Sequence, residues 1–272
     1  ITYGDWSSDV CSSDLVPNAK SSNLPQSIRL QLHHKSWGTL ARHNRADPWG
    51  MGTIVRETTP MPARVELFGV EIDPLRMEQA VAQIQAWVAD PAPRCHFVVT
   101  PNVDHVVMLQ HHAGLRGAYR DAGMVLVDGA PVLWASRLLR HPLPERVAGS
   151  DLVPALFEAA RSEQPLTVYL LGAAPGVADR AAANIRRRWP AVEVVGTYSP
   201  PIGFDKDEAE NEAILAKIAA TKPDVLIVGL GAPKQELWVH KHYSRLSAKV
   251  ALCVGATIDF LAGERSRAPV WM

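Results

Sequence analysis

"LTVYLLGAAPGVADRAAANIRRRWPAVEVVGTY", residues 166–198, decides the fold: an apolar run, a glycine turn, a helical stretch with alanine and isoleucine on one face, then a second apolar run. A continuously apolar strand followed by a crossover helix and another such strand is a βαβ unit, whose two strands are parallel and covered on both faces. The same pattern recurs outward from this unit. "CHFVV" (95–99), "MVLVD" (124–128), "DVLIVGLG" (224–231) and "KVALCVG" (249–255) bring the apolar runs to six, each separated by a helical segment. They predict an α/β fold, a Rossmann-like, mostly parallel six-stranded sheet with helices on both faces.

Ahead of the sheet, "RVELFGVEID" (64–73) splits into two short runs at Gly69 and predicts a β-hairpin. Asp73 and Pro74 then read as the N-cap and first position of a helix, with Met77, Val81, Ile84 and Val88 at helical spacing. Residues 1–62 have no sustained periodicity, and "SSDVCSSDL" (7–15) repeats Ser-Ser-Asp; this segment is expected to be disordered or non-native, and the domain to span 63–272.

Composition narrows the function. Lysine plus arginine and aspartate plus glutamate number 28 each, so no global field points to nucleic acid, and no nucleic-acid partner is expected. Cys11, Cys95 and Cys253 offer neither a disulfide framework nor zinc-ligand spacing. Apolar runs are too short to span a bilayer, and the start lacks a signal-peptide pattern, so the expected location is cytoplasmic.

Right-handed crossovers bring all strand carboxyl ends to one edge, where ligands bind. The residues meeting there are Thr100-Pro101-Asn102, Asp128-Gly129, Gly172 to Gly176, Thr197-Tyr198, Gly229 to Gln235 and Gly255-Ala256-Thr257. Asp128 is suited to take a proton from an attacking hydroxyl, although its position alone slightly favours a cap on the helix that follows. Gly172 and Gly176 sit in a turn that can present N–H groups to a phosphate, although tight βα turns use glycine without any ligand. Gly229, Gly231, Lys234 and Gln235 repeat the arrangement with groups able to bind an anion or a sugar.

Other candidates read as structural. Asp205-Lys206-Asp207 has a metal-binding spacing but precedes an acidic helical first turn, where capping explains it. His240 and His242 are two apart on a helix and cannot face one metal. Ser150 lacks a nucleophile elbow, and Cys253 lies inside an apolar strand. No cofactor and no metal site is expected.

Taken together, "TPNVDHVVML", "VDGAPVLWASRLLRHPLPERVAGSDL", "VYLLGAAPGVADRAAANIRRRWP", "VGLGAPKQELW" and "GATIDFLAGERSRAP" resemble the WecG/TagA/CpsF family of bacterial glycosyltransferases, from about Val65 onward. The resemblance implies inverting, metal-independent transfer of an N-acetylmannosamine-type sugar from a UDP donor to a polyprenyl-diphosphate-linked glycan acceptor, at the inner face of the cytoplasmic membrane, in cell-surface polysaccharide synthesis. It implies Asp128 as catalytic base, with Thr100, Asn102, Arg146 and Gln235 around the substrate; Gly129, beside Asp128, lets a substrate approach the backbone. The family continues into a basic amphipathic tail that docks on the membrane, whereas "ERSRAPVWM" ends here with Arg265 and Arg267, so weak membrane attachment is expected. A homo-oligomer is compatible with all of this. Two alternatives are an NAD-dependent oxidoreductase, suggested by the glycine turns, and a non-catalytic nucleotide-sugar-binding module.

Overall fold

The computed structural model describes residues 61–264; the N-terminal segment read as disordered or non-native, apart from its last two residues, lies outside them, as do Arg265 and Arg267. The hairpin forms as β1 (Val65–Leu67) and β2 (Val70–Ile72), paired antiparallel around Gly69. Helix α1 (Met77–Ala89) follows.

The large sheet comprises β3 (His96–Val99), β4 (Met124–Val125), β5 (Leu166–Gly172), β6 (Val192–Tyr198), β7 (Val225–Gly229) and β8 (Val250–Cys253). Its spatial order is β4-β3-β8-β7-β5-β6, and every neighbouring pair is parallel. The connecting helices are α2 (Val103–His111), α3 (Ala113–Asp121), α4 (Ala130–Leu138), α5 (Gly149–Glu158), α6 (Val177–Arg188), α7 (Glu208–Thr221), α8 (Lys234–His242) and α9 (Thr257–Ala262).

Alternation along the strands builds two apolar layers. Val98, Val168, Leu170, Ile227 and Leu252 pack with α1, α5, α6 and α9, while Phe97, Val99, Leu171, Leu226 and Val228 pack with α2, α3, α7 and α8. Fully burying one such side chain contributes about 1.5–3 kcal/mol, which is why six short runs hold both helical layers.

Asp73 does not cap α1. The helix starts later, with Arg76 as N-cap and the Gln79 side chain accepting the Arg76 N–H at 2.8 Å. Asp73 is instead buried against the edge strand β4: its N–H reaches Val125 O at 2.9 Å, and its carboxylate accepts the Val125 N–H at 2.7 Å and Arg64 Nε at 3.0 Å. An open strand edge leaves backbone groups unpaired, and Asp73 satisfies both groups of Val125 at once. Burial still pushes the Asp73 carboxyl above its ordinary range, against the pull of Val125 and Arg64.

Candidate active site

The predicted strand "MVLVD" is regular only at Met124–Val125, yet the chain stays extended and tied to its neighbours as far as Asp128. Leu126 N–H donates to Val99 O, Asp128 N–H to Pro101 O at 2.9 Å, and Val147 N–H to Val127 O at 2.8 Å. Asp128 is thereby fixed at the carboxyl edge, between the turn after β3 and the segment carrying Arg146.

The N-cap of α4 is Gly129 rather than Asp128, and Gly129 takes φ +97°, a conformation that favours glycine. With the helix start set one residue later, the Asp128 carboxylate faces Arg146, whose Nη1 lies 3.9 Å from Oδ1. Arg146 is held in turn by Asp151, at 2.9 Å. Burial raises the Asp128 carboxyl above the ordinary carboxylate range; Arg146 and His105 pull it down, and Asp151 pushes it up. A carboxylate raised in this way is a stronger base than an exposed one.

Thr100 and Asn102 join it from the end of β3. Thr100 is buried, with Oγ1 donating to Cys253 O at 3.3 Å, which ties β3 to β8. Asn102 caps α2: its Oδ1 accepts the His105 N–H at 3.1 Å. A Cβ added to Gly129 would lie 3.9 Å from Asn102 Cβ, so Asn102 and the Asp128 turn are neighbours.

The glycine turns lie further along the same edge. Counting by sheet order, β7 is three strand spacings from β4 and β5 is four, roughly 14 and 19 Å. Gly172 is required by packing: a Cβ there would stand 2.3 Å from Gly229 O, and the neighbouring Ala173 N–H donates to that same oxygen at 2.9 Å. Gly176 is the N-cap of α6, whose first turn already carries Asp179. Gly229 is close-packed against Gly255 O, whereas Gly231 has open space around it.

Lys234, at the start of α8, sits 3.7 Å from Asp205 and partly over the Phe204 ring. Gln235 is buried and its amide is engaged on both sides, Nε2 donating to Glu236 Oε1 at 2.8 Å and Oε1 accepting the Gly255 N–H at 3.1 Å. In this arrangement it shapes the turn after β8. Asp207 is the N-cap of α7, accepting from Ala209 and Glu210, so the Asp-Lys-Asp triplet is divided between a cap and a lysine pair. Among the described residues, no group of three or more His, Cys, Asp or Glu side chains could hold a metal ion.

Three participants were not singled out from the sequence: His105, Glu236 and Asp151. Asn-x-x-His at a helix start, and a glutamate directly after Gln235, were the available signals for the first two.

Asp128 and Asp151 flank Arg146 at the carboxyl edge of a parallel sheet rimmed by glycine turns, the edge at which enzymes of the open α/β class bind their ligands. Residues 65–272 match the glycosyl transferase WecG/TagA/CpsF family, and the chain belongs to that family. Two similar proteins, from Staphylococcus aureus strains MRSA252 and NCTC 8325 / PS 47, are both N-acetylglucosaminyldiphosphoundecaprenol N-acetyl-beta-D-mannosaminyltransferases. Each is 30% identical to this chain over 207 residues, covering 76% of this chain and 79% of the relative.

Proposed function

We propose that this chain transfers an N-acetylmannosamine-type sugar from a UDP-linked donor to an N-acetylglucosamine unit carried on polyprenyl diphosphate. The observation that carries the reading is Asp128: a carboxylate at the sheet's carboxyl edge, left out of the helix cap, raised by burial and facing Arg146. In this mechanism an acceptor hydroxyl oxygen attacks the donor's anomeric carbon, its proton passes to Asp128, and the bond to the UDP oxygen breaks with its electron pair leaving on the diphosphate. The relatives form a β-linked product; from an α-linked donor that outcome is a single displacement with inversion.

Arg146 and Lys234 are the cations assigned to the leaving diphosphate, helped by backbone N–H groups of the Gly229–Ala232 turn. Metal ions have no assigned role, because Asp205 and Asp207 have structural partners. In this reading the reaction occurs at a membrane surface, because the proposed acceptor is lipid-linked; no described helix is long and apolar enough to cross a membrane. An NAD-dependent oxidoreductase loses its motive, since Gly172 is explained by strand packing and the family is one of glycosyl transferases.

The purified chain, given UDP-N-acetylmannosamine and a short-chain lipid-diphosphate N-acetylglucosamine, should release UDP and a lipid-linked disaccharide in equal amounts. UDP binding without disaccharide would favour the non-catalytic binding module. Binding of NAD but not UDP, by calorimetry, would refute the reading.

A further inference from the structure

Next to Asn102 lies a buried polar pair that the transfer step above does not use. Glu236 on α8 is fully buried and His105 on α2 nearly so, and His105 Nε2 stands 3.4 Å from Glu236 Oε1. That is an ion-pair separation rather than a hydrogen bond: among the described residues His105 Nε2 and Glu236 Oε2 have no hydrogen-bond partner.

The other ring nitrogen faces Asn102. Asn102 Oδ1 accepts the His105 backbone N–H at 3.1 Å, which identifies that atom as the amide oxygen, since an NH2 group could not accept. His105 Nδ1 lies 2.7 Å from this same oxygen and must therefore donate to it. The Asn102 backbone N–H also points toward Nδ1, but at 3.4 Å it cannot compete. Glu236 Oε1 accepts the Gln235 Nε2–H at 2.8 Å, and His105 packs against the same oxygen, so the buried carboxylate and the ring hold each other in place. Besides Gln235, the groups facing the pair include Tyr119 of α3, whose ring centroid is 6.5 Å from that of His105, Cys253 of β8, and Asp128, which feels His105 electrostatically.

We propose that His105 and Glu236 form a positioning pair: by engaging Asn102 Oδ1 they fix the amide so that its NH2 donates into the pocket beside Asp128, to an oxygen of the bound nucleotide-sugar. Among the described residues no hydrogen bond uses Asn102 Nδ2, so this donor is available to a ligand. A flipped amide would offer a carbonyl oxygen in place of the NH2 and could not donate to a ligand oxygen. The proposal rests on the glycosyl-transfer reading for the identity of the ligand, but the pair itself does not.

Two measurements test it. In the full chain labelled with ring-15N histidine and without substrate, the one-bond coupling should show hydrogen on His105 Nδ1; a ring carrying hydrogen only on Nε2 would overturn the proposal. In the transfer assay, Asn102→Ala and His105→Leu should each lower kcat/KM roughly tenfold or more, as expected for loss of a hydrogen bond to a charged group. The double variant should be no worse than Asn102→Ala, because both act through one amide. His105→Asn, which places an NH2 where Nδ1 lies, should recover most of the loss. Multiplying losses, or a folded His105→Asn as impaired as His105→Leu, would overturn the proposal. A wild-type chain that gives no turnover refutes the transfer reading alone, since the nitrogen coupling decides the pair without substrate.

Discussion

Replacing Asp128 by asparagine keeps the side chain's shape and removes its charge, so it separates chemistry from scaffold. The structure supplies both magnitudes. At 3.9 Å, the Arg146–Asp128 attraction is about 4 kcal/mol at a protein-surface dielectric and about 1 kcal/mol at that of water; with both side chains roughly a third exposed, the lower value applies. Desolvation outweighs that attraction, because the Asp128 carboxyl is raised rather than lowered. The substitution therefore removes a group whose charged form opposes folding, and Arg146 keeps Asp151 at 2.9 Å and is not left unpaired.

The sign follows by linkage. A carboxyl raised in the native state contributes its full stability below the ordinary carboxylate range, and that contribution is lost as pH rises through the raised native value. At neutral pH the asparagine variant should be as stable as wild type or more stable by up to about 1 kcal/mol, with the advantage vanishing near pH 3. Turnover, by contrast, should fall about 10²–10⁴-fold, the range for loss of a general base. In the wild type, kcat/KM should rise with pH to a plateau, with its midpoint above the ordinary carboxylate value. Denaturant unfolding at neutral and acid pH, run beside initial-rate kinetics, measures all three. Wild-type turnover in the variant would refute the base assignment; a stability loss of several kcal/mol at neutral pH would make Asp128 a structural ion-pair partner instead.

Other outcomes follow from specific contacts. Asp207→Ala should cost about 1 kcal/mol of stability by removing the α7 cap, and excess chelator should leave transfer intact; rescue of a chelated, inactive enzyme by Mg²⁺ would show a metal role. Arg64→Ala should cost about 3 kcal/mol in denaturant melts, because Asp73 keeps only backbone partners, and the deficit should shrink at acid pH as Asp73 is protonated. Gly172→Ala should destabilise by about 3 kcal/mol, since its Cβ meets the Gly229 carbonyl at 2.3 Å at a φ of +115°. Cys95, whose thiol burial pushes up to about 12, and Cys253, pushed well above the ordinary thiol value, should resist iodoacetamide in the native protein; peptide mapping that finds either one alkylated without unfolding would contradict their burial.

The sheet was legible because doubly covered parallel strands are continuously apolar, and all six runs became its strands. Helix starts were less legible where an aspartate had two possible uses. Asp207 followed the capping rule, while Asp73, in an equally plausible Asp-Pro setting, was drawn to the unpaired Val125 groups of an edge strand 52 residues away. Sequence spacing encodes the local use but not the distant one. Asp128 posed the same choice, and it was settled by the φ of Gly129, a backbone property to which the following Ala-Pro contributes only indirectly.

Glu236 and His105 were hidden for a related reason. A glutamate in a first helical turn ordinarily reads as a solvated charge favourable to the helix dipole, and a histidine three residues after a capping asparagine reads as surface. Their pairing depends on β3 and β7 flanking β8, which brings the helix starts after β3 and β7 together over Gly255 and Cys253. The same sheet order separates Asp128 from the Gly229 turn by about three strand spacings. An extended nucleotide-sugar suits that division, with its sugar at the β4–β3 end and its nucleotide toward β7 and β5. In the proposed transfer, chemistry and nucleotide binding would fall to different loops, so Asp128→Asn should leave UDP affinity in calorimetry close to that of the wild type.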